Sequence, residues 1–413
     1  MFRRRSFLVV TAIFLTTLAA SARAEEKPKA ALQTKRSWDF PEAGVKFSNE
    51  FSGARLNDCE QLGPAEFRLV ISPENTPINP SPWYAFQVTS SKKQVLTLRF
   101  TLTHKGTVLK PRVSRDGKTW TLLASEDFTV TPKAGEVETF PAEKAVAKIE
   151  AGPEPLWVAA QEMIGLAELG AWMDAKAQLP FARESTIGRS VGDRPLRQFI
   201  FGETERANFV FIIARQHPPE VTGSLGMMRF VDTITGDTDL ARRYRQRFQT
   251  VVIPLVNPDG IEHGHWRHNL GGVDTNRDWK PFTQPETRAV RDALLALGKA
   301  PGAKPFLFLD FHSTGGNVFY GQPDSVPAFP AKFSTQWLGA IEKRFPEYKF
   351  KRDDDHNTGL PTSKAWAHDT FGIAGITCEI GYTTDRDLIQ KVSAGAAEEM
   401  MQLLLAEAEK ESR

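Results

Sequence analysis

Four segments of this chain are apolar at almost every position: residues 208–214 (NFVFIIA), 250–256 (TVVIPLV), 305–311 (PFLFLDF) and 373–380 (IAGITCEI). A strand with one face in water alternates apolar and polar residues, whereas a strand covered on both faces does not. These runs are therefore expected to be strands of a sheet enclosed between helices. Residues 221–235 and 286–297 supply two of those helices. The Thr283-Gln284-Pro285-Glu286 segment has the spacing of a capping box for the second. An α/β domain with helices on both faces of its sheet is expected from residue 156 to 413.

Upstream, the period changes. Residues 66–72, 83–89, 94–103, 108–113 and 119–123 are short, rich in β-branched and aromatic residues, and separated by Pro, Gly, Asn and Asp. This pattern predicts an antiparallel β-sandwich over residues 43–155, with Trp83, Tyr84, Phe86 and Phe100 in its core. Residues 25–42 are charged and lack apolar periodicity, which reads as a linker. At the start, Arg3, Arg4 and Arg5 precede an apolar run and then Ala22-Arg23-Ala24, the layout of a signal peptide spanning residues 1–24. Arg4-Arg5-Ser6-Phe7-Leu8 also fits a twin-arginine signal, and either route places the protein in the periplasm or outside the cell. No later stretch approaches the roughly 20 apolar residues of a membrane span. A formal charge of +2 argues against a nucleic-acid surface. Cys59 and Cys378, the two cysteines, cannot form a disulfide scaffold, though they could form one bridge.

The chemistry gathers at strand ends. Residues 208–214 run into Arg215-Gln216-His217-Pro218-Pro219-Glu220, where the two prolines keep His217 out of a helix and leave Glu220 to begin one. His312 follows another buried run. Two His and one Glu leave a tetrahedral zinc ion one open position, the pattern of a catalytic site. Further on come Asn257-Pro258-Asp259-Gly260, Trp266-Arg267-His268-Asn269, Gly272-Val273-Asp274-Thr275-Asn276-Arg277-Asp278, and Glu379 at the end of the last apolar run.

Taken in this order, the motifs resemble the M14 zinc carboxypeptidases. The β-rich segment before the catalytic domain, with its Trp83-Tyr84-Ala85-Phe86-Gln87-Val88 strand, is similar to the cytosolic-carboxypeptidase branch. The resemblance implies a mixed, mostly parallel central sheet, one zinc per chain on His217, Glu220 and His312, and Glu379 as general base and acid. It implies that Arg267 polarises the scissile carbonyl and that Asn276 and Arg277 hold the C-terminal carboxylate of a peptide substrate. The competing reading of these polar residues is a structural network with Asp274 or Asp278. Ser185 to Leu196 resembles the strand pair that opens the family's catalytic domain, while no tyrosine stands in Asn357-Thr358-Gly359-Leu360 where the family often has one. Lys364, fifteen positions before Glu379, falls at the family's specificity position and implies a preference for Glu- or Asp-like C-terminal residues. A zinc amidase or deacylase, a cell-wall peptide hydrolase, or a non-catalytic wall-binding protein are the alternatives. Asp353-Asp354-Asp355 lacks the alternating spacing of a calcium loop and reads as a turn. His263, His265 and His268 are read as surface residues or supports of the site.

Overall fold

The computed structural model describes residues 30–131, 139–205 and 207–410. The expected signal peptide lies outside them. The N-terminal part is a sandwich of two sheets. One has the strand order Ser37–Phe40, Val45–Ser48, Ala85–Ser90, Leu156–Ala159, Arg112–Ser114, Thr121–Leu122; the other runs Asp58–Gly63, Glu66–Ile71, Gln94–Leu102, Ala142–Ala151, Phe128–Val130. Pairing is antiparallel except between Glu66–Ile71 and Gln94–Leu102. Between those two strands the chain crosses to the other sheet as Ala85–Ser90, so it returns in the same direction. Alternate side chains meet in the middle: Phe47, Phe67, Tyr84, Phe86, Leu98 and Phe100 are fully buried.

Two expectations are corrected here, and the pairing of the cysteines, open from the sequence, is settled. Residues 37–40, assigned to a linker, form an edge strand on Val45–Ser48, because Trp38 and Phe40 reach the sandwich core from a segment whose charges mask them. The runs 108–113 and 119–123 shrink to Arg112–Ser114 and Thr121–Leu122; Pro111 has no N–H for a ladder. Cys59 and Cys378 are both buried free thiols, one in each domain's sheet, and form no bridge.

The second domain is built on an eight-stranded sheet in the order Ala182–Arg189, Pro195–Phe201, Gln249–Ile253, Asn208–Ala214, Lys304–Thr314, Ala374–Gly381, Val318–Tyr320, Lys351–Asp353. Four of its seven pairings are parallel and three antiparallel. The continuous apolar runs now have their reason. Val210, Ile212 and Ala214 pack into one core with helices Val221–Ile234, Phe333–Arg344 and Arg386–Lys410. Phe209, Phe211 and Ile213 face the other core, with helices Pro285–Gly298 and Ser363–Phe371. The expected capping box does not form. Thr283 is drawn to Asp278, whose carboxylate accepts from the backbone N–H groups of Thr283 and Gln284 at 2.8 and 2.9 Å and so caps the helix from outside. Glu286 bonds instead to Val191 N and Asn269 Nδ2. Among the described residues no helix is long and apolar enough to cross a membrane.

Candidate active site

The parallel strands end together, and the site lies at their C-terminal edge, where an α/β sheet leaves a crevice. At the end of Asn208–Ala214, Arg215 adopts a left-handed conformation (φ 55°), unusual for a residue with a side chain. Its guanidinium holds the turn by donating to Pro218 O and Ser224 Oγ at 2.9 and 3.0 Å. Gln216 is clamped too: Asn257 Nδ2 and Thr275 Oγ1 donate to its carbonyl, and Trp279 Nε1 donates to its side-chain oxygen. His217 is thereby fixed, and Glu220 stands at the N-terminal boundary of the helix Val221–Ile234 with its carboxylate turned to the histidines instead of the helix N–H groups. The same helix is tied to the other catalytic strands. Thr222 Oγ1 donates to Ile380 O and accepts from Ser313 Oγ, and a Cβ on Gly223 would stand 2.6 Å from His312 O, so only glycine allows this approach.

His217, Glu220 and His312 converge, with one ligand atom from each within 4.8 Å of the others and all three residues buried. Glu220 Oε1 lies 2.7 Å from His217 Nδ1, Glu220 Oε2 lies 2.6 Å from His312 Nδ1, and the two Nδ1 atoms are 3.1 Å apart. The outer Nε2 atoms face carboxylates: Asp274 Oδ1 at 3.0 Å from His217 and Asp310 Oδ2 at 2.8 Å from His312. Those carboxylates favour the proton on Nε2, which leaves both Nδ1 lone pairs aimed at one point beside an anionic oxygen. This is the donor set and outer support of a zinc site. With no metal bound, burial opposes the charge on Glu220, but protonated His217 and His312 rings donating from Nδ1 outweigh it and lower its pKa.

Glu379 is the register neighbour of His312 on the adjoining strand. Its Oε2 is sealed from solvent and has no hydrogen-bond partner among the described residues. Burial, and then the Glu220 carboxylate, raise its pKa. A cation held by His217, Glu220 and His312 would oppose that repulsion and favour the ionised form.

A cleft of about 550 Å³ opens over this point, lined by His217, Glu220, Glu379, Arg267, Asn276, Arg277 and Lys364 together. His312 lies just behind it. Arg267 is buried and donates from Nε to Asp274 Oδ2 at 2.6 Å, so the Arg–Asp pairing considered from the sequence exists and coincides with a place in the cleft wall. Arg277 pairs with neither Asp274 nor Asp278; its Nη1 donates to Asn276 O at 2.8 Å. Asn276 accepts from Ser363 N at 3.0 Å, which joins it to the helix carrying Lys364. The Lys364 ammonium donates to Gly321 O at 2.9 Å and has no other hydrogen-bond partner among the described residues. Burial lowers its pKa, against the pull of Asp354 and Asp353.

Several lining residues carried no signal in the sequence. Tyr382 faces the Ser81 side chain, and burial together with Glu220 and Glu379 raises its pKa. Tyr320 stacks on His356 at 4.0 Å. Asn79 to Trp83 bring the β-sandwich into the cleft wall, with Gly106, Thr107 and Leu109. His265 and His268 lie outside the metal cluster: His265 Nδ1 is 3.0 Å from His268 O, and His268 Nδ1 is 2.7 Å from Asn75 Oδ1. The acidic triplet pairs with neighbouring cations, Asp353 with Lys351 and Asp354 with Arg352.

The fold brings together a buried His–Glu–His set with the composition to hold a metal ion, and an unpaired carboxylate stands beside it. The model of the peptidase M14 family, zinc carboxypeptidase, matches residues 169–392, and the chain belongs to this family. It is 31% identical over 136 residues to cytosolic carboxypeptidase 6 of Caenorhabditis elegans, covering 31% of this chain and 30% of that one. The chain spans under two thirds of the length of the curated relatives it matches. Its fold is that of a metallo-carboxypeptidase from Burkholderia cenocepacia (TM-score 0.68, 21% identity, 89% of this chain and 99% of that one). A metallo-carboxypeptidase from Pseudomonas aeruginosa is similar as well (TM-score 0.69, 17% identity, 87% and 98%).

Proposed function

We propose that this protein is an exported zinc carboxypeptidase that releases C-terminal residues from peptides and favours residues bearing a second carboxylate. One observation carries the reading: His217, Glu220, Glu379 and three cations, Arg267, Arg277 and Lys364, line one cleft, and His312 completes the His–Glu–His set behind it. When bound, zinc supplies Lewis acidity, polarising an amide carbonyl and acidifying water. Glu379, which lines the cleft, takes the proton of the attacking water and passes it to the departing amine. Arg267, held by Asp274, meets the negative charge that grows on the carbonyl oxygen. Arg277 offers a planar fork to the terminal carboxylate, which an amidase acting on neutral amides has no use for. The Lys364 ammonium suits an acidic side chain and rejects apolar or basic ones, because a buried cation left without an anion is costly.

The test is a panel of chromophore-blocked dipeptides differing in the last residue. Glu- and Asp-ended substrates are expected to show the highest kcat/KM, and Lys364→Met to abolish that preference while leaving zinc content intact. Equal turnover of Leu- and Glu-ended substrates by the unaltered protein would remove Lys364 as selector.

A further inference from the structure

The segment carrying Arg267 is held by the other domain. Trp266, immediately before it, is fully buried in the hydrophobic core of the β-sandwich. Glu74, in the loop after the sandwich strand Glu66–Ile71, is 1% exposed and spends its whole carboxylate on this segment. Oε2 accepts from Trp266 N at 2.7 Å; Oε1 accepts from Arg267 N at 3.0 Å and His268 N at 2.7 Å. Arg55, equally buried, donates to the carbonyls of Gly264 and His263. Asn75 closes the far side, with Oδ1 2.7 Å from His268 Nδ1 and Nδ2 donating to Gly272 O at 3.0 Å. The line of contacts then continues inward. Arg267 Nε reaches Asp274, and Asp274 reaches His217.

Three consecutive N–H groups turned onto one carboxylate fix the backbone direction of residues 266–268, and with it the root of the Arg267 side chain. Without an acceptor those donors would be buried and unpaired, and the segment would turn to find water. We propose that Glu74 is a positioning residue for catalysis: the β-sandwich acts as a working part of the active site by aiming Arg267 at the reacting carbonyl. The proposal rests on the role assigned to Arg267 above. It gives the sandwich a function in turnover itself, and it explains why a residue remote from the cleft is paired so completely.

A double-mutant cycle tests it in the full-length protein. Glu74→Gln keeps the size of the side chain but faces at least one N–H with an amide group that cannot accept. Turnover of a blocked dipeptide ending in Glu is measured for the unaltered protein, Glu74→Gln, Arg267→Ala and the double variant, with zinc content and thermal unfolding recorded for each. Arg267→Ala should lower kcat by about 10²- to 10³-fold, as loss of an oxyanion donor does. Glu74→Gln should lower kcat by about 10- to 100-fold with KM changed less than about threefold and zinc retained, as misplacement of a catalytic group does. In the Arg267→Ala background the same change should cost less than about twofold, because the group it aims is gone. An equal loss in both backgrounds makes Glu74 merely structural and overturns the proposal, as does an unchanged kcat in Glu74→Gln. Normal turnover by Arg267→Ala would instead overturn the catalytic reading of Arg267. If Glu74→Gln does not fold, Asn75→Ala enters the same cycle, with a loss of about threefold or more expected only where Arg267 is present.

Discussion

Replacing Asp310 with asparagine separates the charge behind the metal site from its shape. Asp310 is fully buried, and its Oδ2 faces His312 Nε2, accepts from Gln216 Nε2 at 2.6 Å and accepts from Ser363 Oγ. An asparagine oxygen placed there keeps all three contacts, so the His312 ring should stay where it is. The amide nitrogen then falls at Oδ1, which has no partner among the described residues, and a buried unpaired donor costs about 1–3 kcal/mol. That cost is offset by no longer burying a carboxylate, so the metal-free protein should change in stability by less than about 2 kcal/mol. Zinc affinity should respond more clearly. Losing the carboxylate behind a ligating histidine weakens metal binding by about 10- to 100-fold, or about 1.4–2.7 kcal/mol. Competition against a chromophoric chelator measures this directly, and turnover at saturating zinc should stay close to normal because Asp310 lies behind the triad. Zinc affinity within twofold of the unaltered protein would refute the claim that Asp310 conditions His312.

Two further outcomes follow from the packing. Gly223→Ala sets a methyl 2.6 Å from His312 O and 2.8 Å from its carbonyl carbon. It should cost about 1–3 kcal/mol in urea unfolding and weaken zinc binding; unchanged values for both would show that the helix and strand are not in contact as described. Glu286 is buried with no ion-pair partner among the described residues, and burial pushes its pKa up to about 7 from an ordinary 4.5. The folded state therefore holds a proton that the unfolded state has lost between those values, so this residue makes stability fall as pH rises from about 4.5 to 7. Glu286→Gln should flatten that slope and gain up to about 3 kcal/mol relative to the unaltered protein on going from pH 4.5 to pH 8, read from urea midpoints. An identical pH slope in both proteins would contradict it.

Much of this architecture was legible because both-face burial leaves a distinctive mark. The run 208–214 became a strand with the same bounds, and the other three shifted by a few residues at their ends. The cluster of His217, Glu220 and His312 was legible for a different reason: the prolines after His217 and the order of the later motifs restrict what the segment can do. Other features were hidden by context. Asp310 sits inside an apolar run, and its role behind His312, two positions on along the same strand, shows only in their 2.8 Å contact. Ser37–Phe40 is masked by flanking charge, whereas the helix Arg386–Lys410 is rich in the strong helix formers Ala, Leu, Glu and Met. Glu74 stands in a loop that reads as surface, because its three donors come from a segment nearly two hundred positions away. Tyr382 and Ser81 meet only when the two domains are brought together.

The central claim is that His217, Glu220 and His312 hold a zinc ion beside Glu379, which moves the proton. Zinc content and blocked-dipeptide turnover of the unaltered protein and of Glu379→Gln, measured on the same preparations, test it most directly. The account predicts about one zinc per chain in both proteins, with turnover lower by about 10²- to 10⁴-fold in the variant. Absence of zinc from the unaltered protein, or turnover by Glu379→Gln close to normal, would contradict it.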